Sequence, residues 1–158
     1  MNSNDEKIIV FKNDAVGDLT QSLKAINNIL DIHKNKTIEI YLSERSKKFS
    51  FLMNNNNIIF KTINYNLTLK EKIKILLYLM MNKISYIYIL TPKNFYFYLP
   101  FLFRNVKFYG LCINGPNFYK RPSVFLRNYL FKFVINDREA IFKREHTTKL
   151  QFKHTKEK

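Results

Sequence analysis

The sequence predicts an α/β fold, a doubly wound parallel sheet of the Rossmann-like kind, because short apolar runs alternate with helical patterns along most of the chain. The chain has 158 residues, the size of one domain, and 46% of them are hydrophobic, enough for a core. Right-handed crossovers then place helices on both faces of the sheet. We expect the strand order 3-2-1-4-5, one domain over residues 1–145 and a basic tail over residues 146–158.

The first part of the chain predicts three strands separated by helices. Residues 7–12 (KIIVFK) form an apolar run typical of a buried strand. Apolar side chains then recur at spacings of four, three and four, as in an amphipathic helix: Leu19, Leu23, Ile26 and Leu30. Residues 37–42 (TIEIYL) alternate as a second strand, and residues 58–62 form a third. Between them, Ser43 is placed to cap a helix that we expect to reach about Met53.

The middle of the chain continues the alternation. Thr68 and Glu71 are spaced as a capping box, in which each side chain binds the other residue's backbone N–H. We expect the helix that follows to bury one apolar face: Ile73, Leu76, Leu77, Met80 and Met81. Residues 86–90 predict a fourth strand, residues 94–103 a helix, and residues 106–111 a fifth strand.

The last part of the chain gives weaker patterns. Gly115 and Pro116 predict a turn, and Pro122 suits the first turn of a helix that we expect to end near Ile135. Asp137 is placed to cap a last short helix.

The charge of the chain is strongly positive. The formal net charge is +15, and no acidic residue occurs from Lys72 to Asn136. Such a surface attracts polyanions, including nucleic acid, anionic lipid headgroups and phosphorylated sugars. The alternative is that the excess of lysine reflects the codon usage of a genome rich in A and T, and that these lysines form a solvated surface without a partner.

Several classes of site have no support in the sequence. The lone Cys112 makes no internal disulfide, and three scattered histidines without partners at ligand spacing predict no metal site. The glycine patterns of dinucleotide sites and P-loops are missing. No apolar run is long enough to suggest a membrane span, and the polar N-terminus is no signal peptide, so we expect a cytoplasmic protein.

The loop after the first strand is the strongest candidate for a site. Ligands of open parallel sheets bind beyond the carboxyl ends of the strands, where the strand order reverses. The segment from Lys12 to Asp18 places a lysine, two carboxylates and Gly17 at that edge. Lys93 and Asn94, in the loop after the fourth strand, lie at the same edge.

This loop also carries a resemblance to a known family. The run 7–12, a short loop ending at Val16 and the step Gly17-Asp18-Leu19 resemble the opening of glycosyltransferase family 9, the lipopolysaccharide heptosyltransferases. The helix start 20–26 and the segment 86–93 are similar as well. The segment 106–111 matches in part, since Phe108 and Tyr109 stand before Gly110. The similarity covers about residues 7–115, and less completely extends to residue 145.

The resemblance implies the N-terminal, acceptor-side half of a two-domain GT-B glycosyltransferase, which moves heptose from a nucleotide-heptose to the lipopolysaccharide core with inversion. Asp18 is then the general base that takes the proton of the acceptor hydroxyl. The acceptor-binding residues are expected to be Lys12, Asp14, Gly17, Lys93 and Asn94. An alternative for Asp18 is a structural one, since Asp18 with Gln21 has the spacing of a helix cap.

The partners follow from the same resemblance. We expect no cofactor, because the nucleotide-sugar donor would bind a second domain that this chain does not show, and we expect no sugar transfer by the chain alone. The acceptor would be the lipopolysaccharide core or another phosphorylated glycan, and the protein would be peripheral at the inner membrane. The other hypothesis is a basic module that binds nucleic acid or anionic surfaces without catalysis. No known nucleic-acid motif supports it.

Overall fold

The computed structural model describes residues 6–53, 57–91, 93–112 and 134–136. The strands are β1 (Lys7–Lys12), β2 (Thr37–Leu42), β3 (Ile58–Thr62), β4 (Ile84–Ile89), β5 (Lys107–Cys112) and β6 (Val134–Asn136). The helices are α1 (Val16–Ile32), α2 (Glu44–Lys47), α3 (Leu69–Met81) and α4 (Asn94–Leu102), with a 3-10 turn at Ser50–Leu52.

The strands form one parallel sheet in the order β3-β2-β1-β4-β5-β6. The predicted α/β class and the order 3-2-1-4-5 are therefore confirmed. The sixth strand is a correction, because residues 134–136 pair with β5 where the sequence predicted the end of a helix. The start of that helix at Pro122, the cap at Asp137 and the tail over residues 146–158 lie outside the described residues.

The sheet divides the core into two parts. Side chains of a strand alternate between its faces, so Ile8 and Val10 of β1 point to one part, while Ile9 and Phe11 point to the other. The first part is closed by α1, with the expected stripe: Leu19, Ile26 and Leu30 are buried and Leu23 is partly buried. The second part is closed by α3 and α4.

The segment after β2 differs from its prediction. Ser43 does cap a helix, since its Oγ accepts a hydrogen bond from the backbone N–H of Ser46. The expected helix to Met53 is wrong, because α2 ends at Lys47 and only a 3-10 turn follows. No apolar side chain occurs between Glu44 and Lys48, so packing does not stabilise a longer helix.

The start of α3 is as predicted, but its buried face is not. In the capping box, the backbone N–H of Glu71 donates to Thr68 Oγ1 over 3.2 Å, and the N–H of Thr68 donates to Glu71 Oε2 over 2.8 Å. The buried side chains are Ile75 and Leu79. Of the residues expected inside, Leu76 is only partly buried and the others are exposed: Ile73, Leu77, Met80 and Met81. The prediction failed because α3 has apolar residues on two sides.

Within the described part of the chain, none of the helices is both long and apolar enough to cross a lipid bilayer.

Candidate functional site

Loops from neighbouring strands form a cleft at the carboxyl edge of the sheet. The cleft has a volume of about 640 Å³, and its lining comes from the loops after β1, β2 and β3: Asp14, Ala15, Val16, Ser43, Glu44, Arg45, Asn64 and Tyr65. The strand order reverses between β1 and β4, which is where ligands of open parallel sheets bind. The predicted loop after β1 therefore contributes directly to the cleft.

Lys12 and Asp14 form a buried ion pair beneath this loop. Lys12 Nζ lies 2.8 Å from Asp14 Oδ2 and donates to the backbone oxygen of Leu90 over 3.3 Å. The side chain of Lys12 is 2% exposed and that of Asp14 is 10% exposed. The ammonium of Lys12 is thus held inside the protein, whereas Asp14 reaches the cleft wall.

The charge of Asp14 depends on its neighbours. Burial raises the pKa of Asp14, the ammonium of Lys12 lowers it in part, and the carboxylate of Asp18 raises it again. The hydroxyl of Thr91, which follows β4, lowers the same pKa. The net result is a pKa of Asp14 above its ordinary value. The carboxylates of Asp14 and Asp18 are therefore close enough for Asp18 to influence the pKa of Asp14.

Buried hydrogen bonds fix the loop from both sides. The backbone oxygen of Asp14 accepts from Ser43 Oγ over 3.0 Å and from Ser46 Oγ over 2.9 Å. Asn13 Nδ2 donates to the backbone oxygen of Asn64 over 2.8 Å, and Asn13 Oδ1 accepts from the hydroxyl of Tyr96 over 2.9 Å. The loop after β1 is thereby tied to the loops after β2 and β3 and to α4.

Sequence reasoning missed the roles of Asn13 and Tyr96. Both are fully buried, and the Tyr96 ring stacks on Phe11 at a centroid distance of 4.3 Å. An asparagine directly after a buried strand is the available signal, because a buried amide needs hydrogen-bond partners. The sequence does not show that the partner of Asn13 is Tyr96, because the two residues are 83 positions apart.

Asp18 lies in the first turn of α1 and is exposed. The helix begins at Val16, and its N-cap residue, Ala15, has no side-chain cap. The predicted cap formed by Asp18 and Gln21 is therefore wrong, since Asp18 lies within the helix. The unpaired N–H groups of a first helical turn stabilise a negative charge placed beside them.

Gly17 leaves open space at the start of α1. A Cβ atom built on Gly17 would meet no other group within 4 Å. The backbone of this exposed turn is thus accessible next to Asp18. Gly17 oxygen accepts a hydrogen bond from Thr20 Oγ1 over 2.8 Å, which supports the turn from the helix side.

Lys93 reaches the site from the loop after β4. Its Nζ lies 3.7 Å from the ring centroid of Tyr65, which lines the cleft. Burial lowers the pKa of Lys93, and the carboxylate of Asp14 opposes this shift. Asn94 is exposed at the first position of α4, and no hydrogen bond joins it to the loop after β1 in the described part of the chain.

A second buried charge cluster lies on the other side of the sheet from α1. Glu39 of β2 is 1% exposed and lies 2.7 Å from Lys61 Nζ and 3.4 Å from Lys7 Nζ. The hydroxyl of Tyr78 donates to the same carboxylate. Because both lysines and Tyr78 bind the single carboxylate of Glu39 beneath α3, we assign the cluster a structural role.

The cleft is lined by the carboxylate of Asp14, the guanidinium of Arg45 and the hydroxyl groups of Ser43 and Tyr65. The exposed carboxylate of Asp18 is not among the lining residues and lies in the adjoining first turn of α1. Asp18 can accept a proton from a bound hydroxyl, and Arg45 and Lys93 supply positive charge nearby. Among the described residues, no group of three or more histidine, cysteine or acidic side chains could hold a metal ion. The arrangement suits binding of a hydroxyl-bearing ligand.

Comparison with known proteins gives a likeness in fold. No protein-family model and no curated protein sequence matches the chain. The structure is similar to that of E. coli heptosyltransferase WaaC with ADP, at a TM-score of 0.55 and 9% sequence identity. The match covers 94% of this chain and 46% of the heptosyltransferase, so the chain spans about half the length of that protein. The chain therefore has a Rossmann-like α/β fold that is similar to part of that heptosyltransferase.

Proposed function

We propose that this chain is the acceptor-side half of a heptosyltransferase of the glycosyltransferase family 9 kind. The observation that carries the proposal is the place of Asp18. This exposed carboxylate lies in the first turn of α1, where the strand order reverses, in a fold that matches half of a heptosyltransferase. The resemblance of the Gly17-Asp18 step to the start of that family supports the same role.

In the proposed reaction, Asp18 removes the proton of an acceptor hydroxyl. The hydroxyl oxygen forms a bond to the anomeric carbon of the donor sugar while the bond from that carbon to the nucleoside diphosphate breaks. The electron pair of the broken bond leaves with the diphosphate, and the anomeric configuration is inverted. The start of α1 stabilises a negative charge placed beside it, because the first N–H groups of a helix are unpaired.

The other loop residues take supporting roles in this proposal. Gly17 leaves room for the acceptor beside Asp18, and Lys93 attracts its phosphate or carboxylate groups. Lys12 holds Asp14 in place, and Asp14 accepts hydrogen bonds from acceptor hydroxyls. Asn94 extends the acceptor surface along the same edge of the sheet.

The donor is proposed to bind a second domain, and no described residue is assigned to it. Transfer by this chain alone is therefore not expected. The proposed acceptor is the lipopolysaccharide core or another phosphorylated glycan, in the cytoplasm at the inner membrane.

Acceptor binding can be tested by NMR with a phosphorylated core oligosaccharide and its dephosphorylated form at fixed salt. We expect shift changes in the loops at 13–18, 43–45 and 64–65, and tighter binding of the phosphorylated form. Asp18→Asn should retain binding. When a separately produced donor-binding domain supports transfer, the same variant should lower the rate by about 10²–10⁴-fold. Lys24→Gln, a change on the exposed side of α1, is the matched control.

Two outcomes would contradict the proposal. One is transfer that survives in Asp18→Asn at the rate of the control variant. The other is equal binding of unrelated polyanions, such as single-stranded DNA, with an affinity that falls steeply as salt rises. The second outcome would favour the basic binding module without catalysis.

A further inference from the structure

The outer side of α3 is apolar. Leu69, Ile73, Leu77 and Met80 recur at spacings of four, four and three, which places them in one stripe along the helix. They are 72%, 48%, 51% and 72% exposed, and the adjoining Met81 is 84% exposed. Because Ile75 and Leu79 already face the sheet, this stripe is not part of the core.

The neighbouring helix on the same face continues this surface. α4 packs on the core through Tyr96, Phe97 and Leu99, as α3 does through Ile75 and Leu79. Its outward side chains Tyr98, Phe101 and Leu102 are 46%, 52% and 64% exposed. We call the exposed apolar side chains of α3 and α4 the outer apolar surface.

The helix on the opposite face of the sheet has no such surface. The exposed positions of α1 are occupied by polar or small residues almost throughout, including Asp18, Thr20, Lys24, Asn27 and Asp31. The outward sides of α1 and of α3 thus differ. A stripe of exposed apolar side chains such as the one on α3 is typical of an interaction site.

Lysines border the apolar stripe of α3 on one side. Lys70 and Lys74 are exposed there, and Lys83, which follows the helix and is 63% exposed, lies 3.5 Å from the carboxylate of Glu6. The one acidic residue of α3, Glu71, is bound to the backbone N–H groups of Thr68 and Asn64. Neither the rest of α3 nor α4 contains an acidic residue. An anionic bilayer surface matches this arrangement, because its acyl chains accept apolar side chains and its phosphates attract the lysines at the border of the stripe.

We propose that the outer apolar surface docks on an anionic phospholipid membrane, with α3 and α4 lying in the plane of the headgroups. The exposed leucine, isoleucine, methionine and aromatic side chains enter the boundary between headgroups and acyl chains. The ammonium groups of Lys70 and Lys74 bind lipid phosphates. α3 has 13 residues, so it is about 20 Å long and lies on the bilayer without crossing it.

This docking would place the cleft beside the lipid surface. α4 begins at the carboxyl edge of the sheet, next to Lys93, and α3 begins shortly after the loop that carries Asn64 and Tyr65. A hydroxyl-bearing group attached to a lipid could then reach the cleft without leaving the membrane. The docking itself does not depend on the chemistry of Asp18.

Vesicle flotation of the full chain tests the proposal, with vesicles of phosphatidylcholine alone or mixed with phosphatidylglycerol. We expect binding to the mixed vesicles only. Leu77→Gln with Met80→Gln should weaken binding at least tenfold, because two side chains that enter the bilayer are lost. The matched control is Phe51→Gln, which changes a side chain that is 72% exposed on the other face. Asp18→Asn should bind vesicles like the unmodified chain.

Charge reversal provides a second comparison. Lys70→Glu and Lys74→Glu should each weaken binding by fivefold or more, since one lysine near an anionic surface is worth about that much. Lys24→Glu makes the same change in net charge on α1 and should have little effect. Equal losses in the α3 variants and in the controls would overturn the proposal. So would equal binding to uncharged vesicles, or a loss of self-association without any loss of vesicle binding in the Leu77 and Met80 variant.

Discussion

Lys12 Nζ lies 2.8 Å from the carboxylate of Asp14, and both side chains are buried at the start of the loop that leads into α1. Two charges removed from water are stable only as a pair, so the loss of either partner leaves the other uncompensated. The pair therefore fixes the loop at the point where it enters the cleft.

The first prediction concerns this pair. Lys12→Met or Asp14→Asn alone should lower the free energy of unfolding by about 3–5 kcal/mol, because an unpaired buried charge remains. The double variant should be less destabilised than the sum of the two changes. Urea unfolding of all four proteins gives the coupling energy. Additive effects would show that the two side chains do not stabilise each other.

The second prediction concerns the capping box of α3. Burial raises the pKa of Glu71, but hydrogen bonds from the backbone N–H groups of Asn64 and Thr68 lower it to about 2. A carboxylate with a lowered pKa stabilises the fold fully above its unfolded value of 4.5, and this stabilisation is lost as the pH falls through about 2.

Glu71→Gln should therefore cost about 1 kcal/mol at neutral pH, as for other helix caps, and the cost should diminish in acid. Unfolding of both proteins between neutral pH and pH 2 measures the difference. A cost that does not change with pH would mean that the charge of Glu71 contributes nothing.

The third prediction separates stability from binding at Gly17. Alanine favours a helix over glycine, and its Cβ would meet no group within 4 Å, so Gly17→Ala should stabilise the chain by up to about 1 kcal/mol. The same methyl group would occupy the space proposed for the acceptor. Thermal unfolding and acceptor titration should thus change in opposite senses, and unchanged acceptor affinity would place the acceptor elsewhere.

The fourth prediction concerns the hydroxyl of Tyr96. Tyr96→Phe leaves Asn13 Oδ1 without its hydrogen bond and should cost about 1–3 kcal/mol. Tyr98→Phe removes the same atom from a side chain that is 46% exposed and should cost much less. Equal costs in chemical unfolding would contradict the role of Tyr96 as a support of the loop.

The α/β class was predictable because the alternation of apolar runs and helices is clear in the sequence, and the strand order 3-2-1-4-5 expected for that class is confirmed for the first five strands. The buried face of α3 was not predictable. The helix has apolar residues on two sides, one with Ile75 and Leu79 and one with the exposed stripe, and their spacing does not show which side faces the core. Only the position of the sheet decides between them. β6 was not predictable because three residues are too few to show the alternation of a strand, and the sequence around them predicted the end of a helix.

The candidate site was predictable in position but not in detail. Its edge of the sheet follows from the rule for parallel strands, and the loop from Lys12 to Asp18 does line the cleft in part. The inward turn of Lys12 was not predictable, because a lysine at a strand end is usually solvated. Its direction follows from Asp14 and from the backbone oxygen of Leu90, which is 78 positions away.

The long-range hydrogen bonds of the Asn13 side chain also bear on how the chain folds. They join Asn13 to residues 51, 52 and 83 positions further along. Pairing between such distant segments is slow, because the loops between them must close before any contact offsets the lost entropy. The loop after β1 therefore has all of these hydrogen bonds only once the chain has been made as far as Tyr96, well beyond the residues that line the cleft.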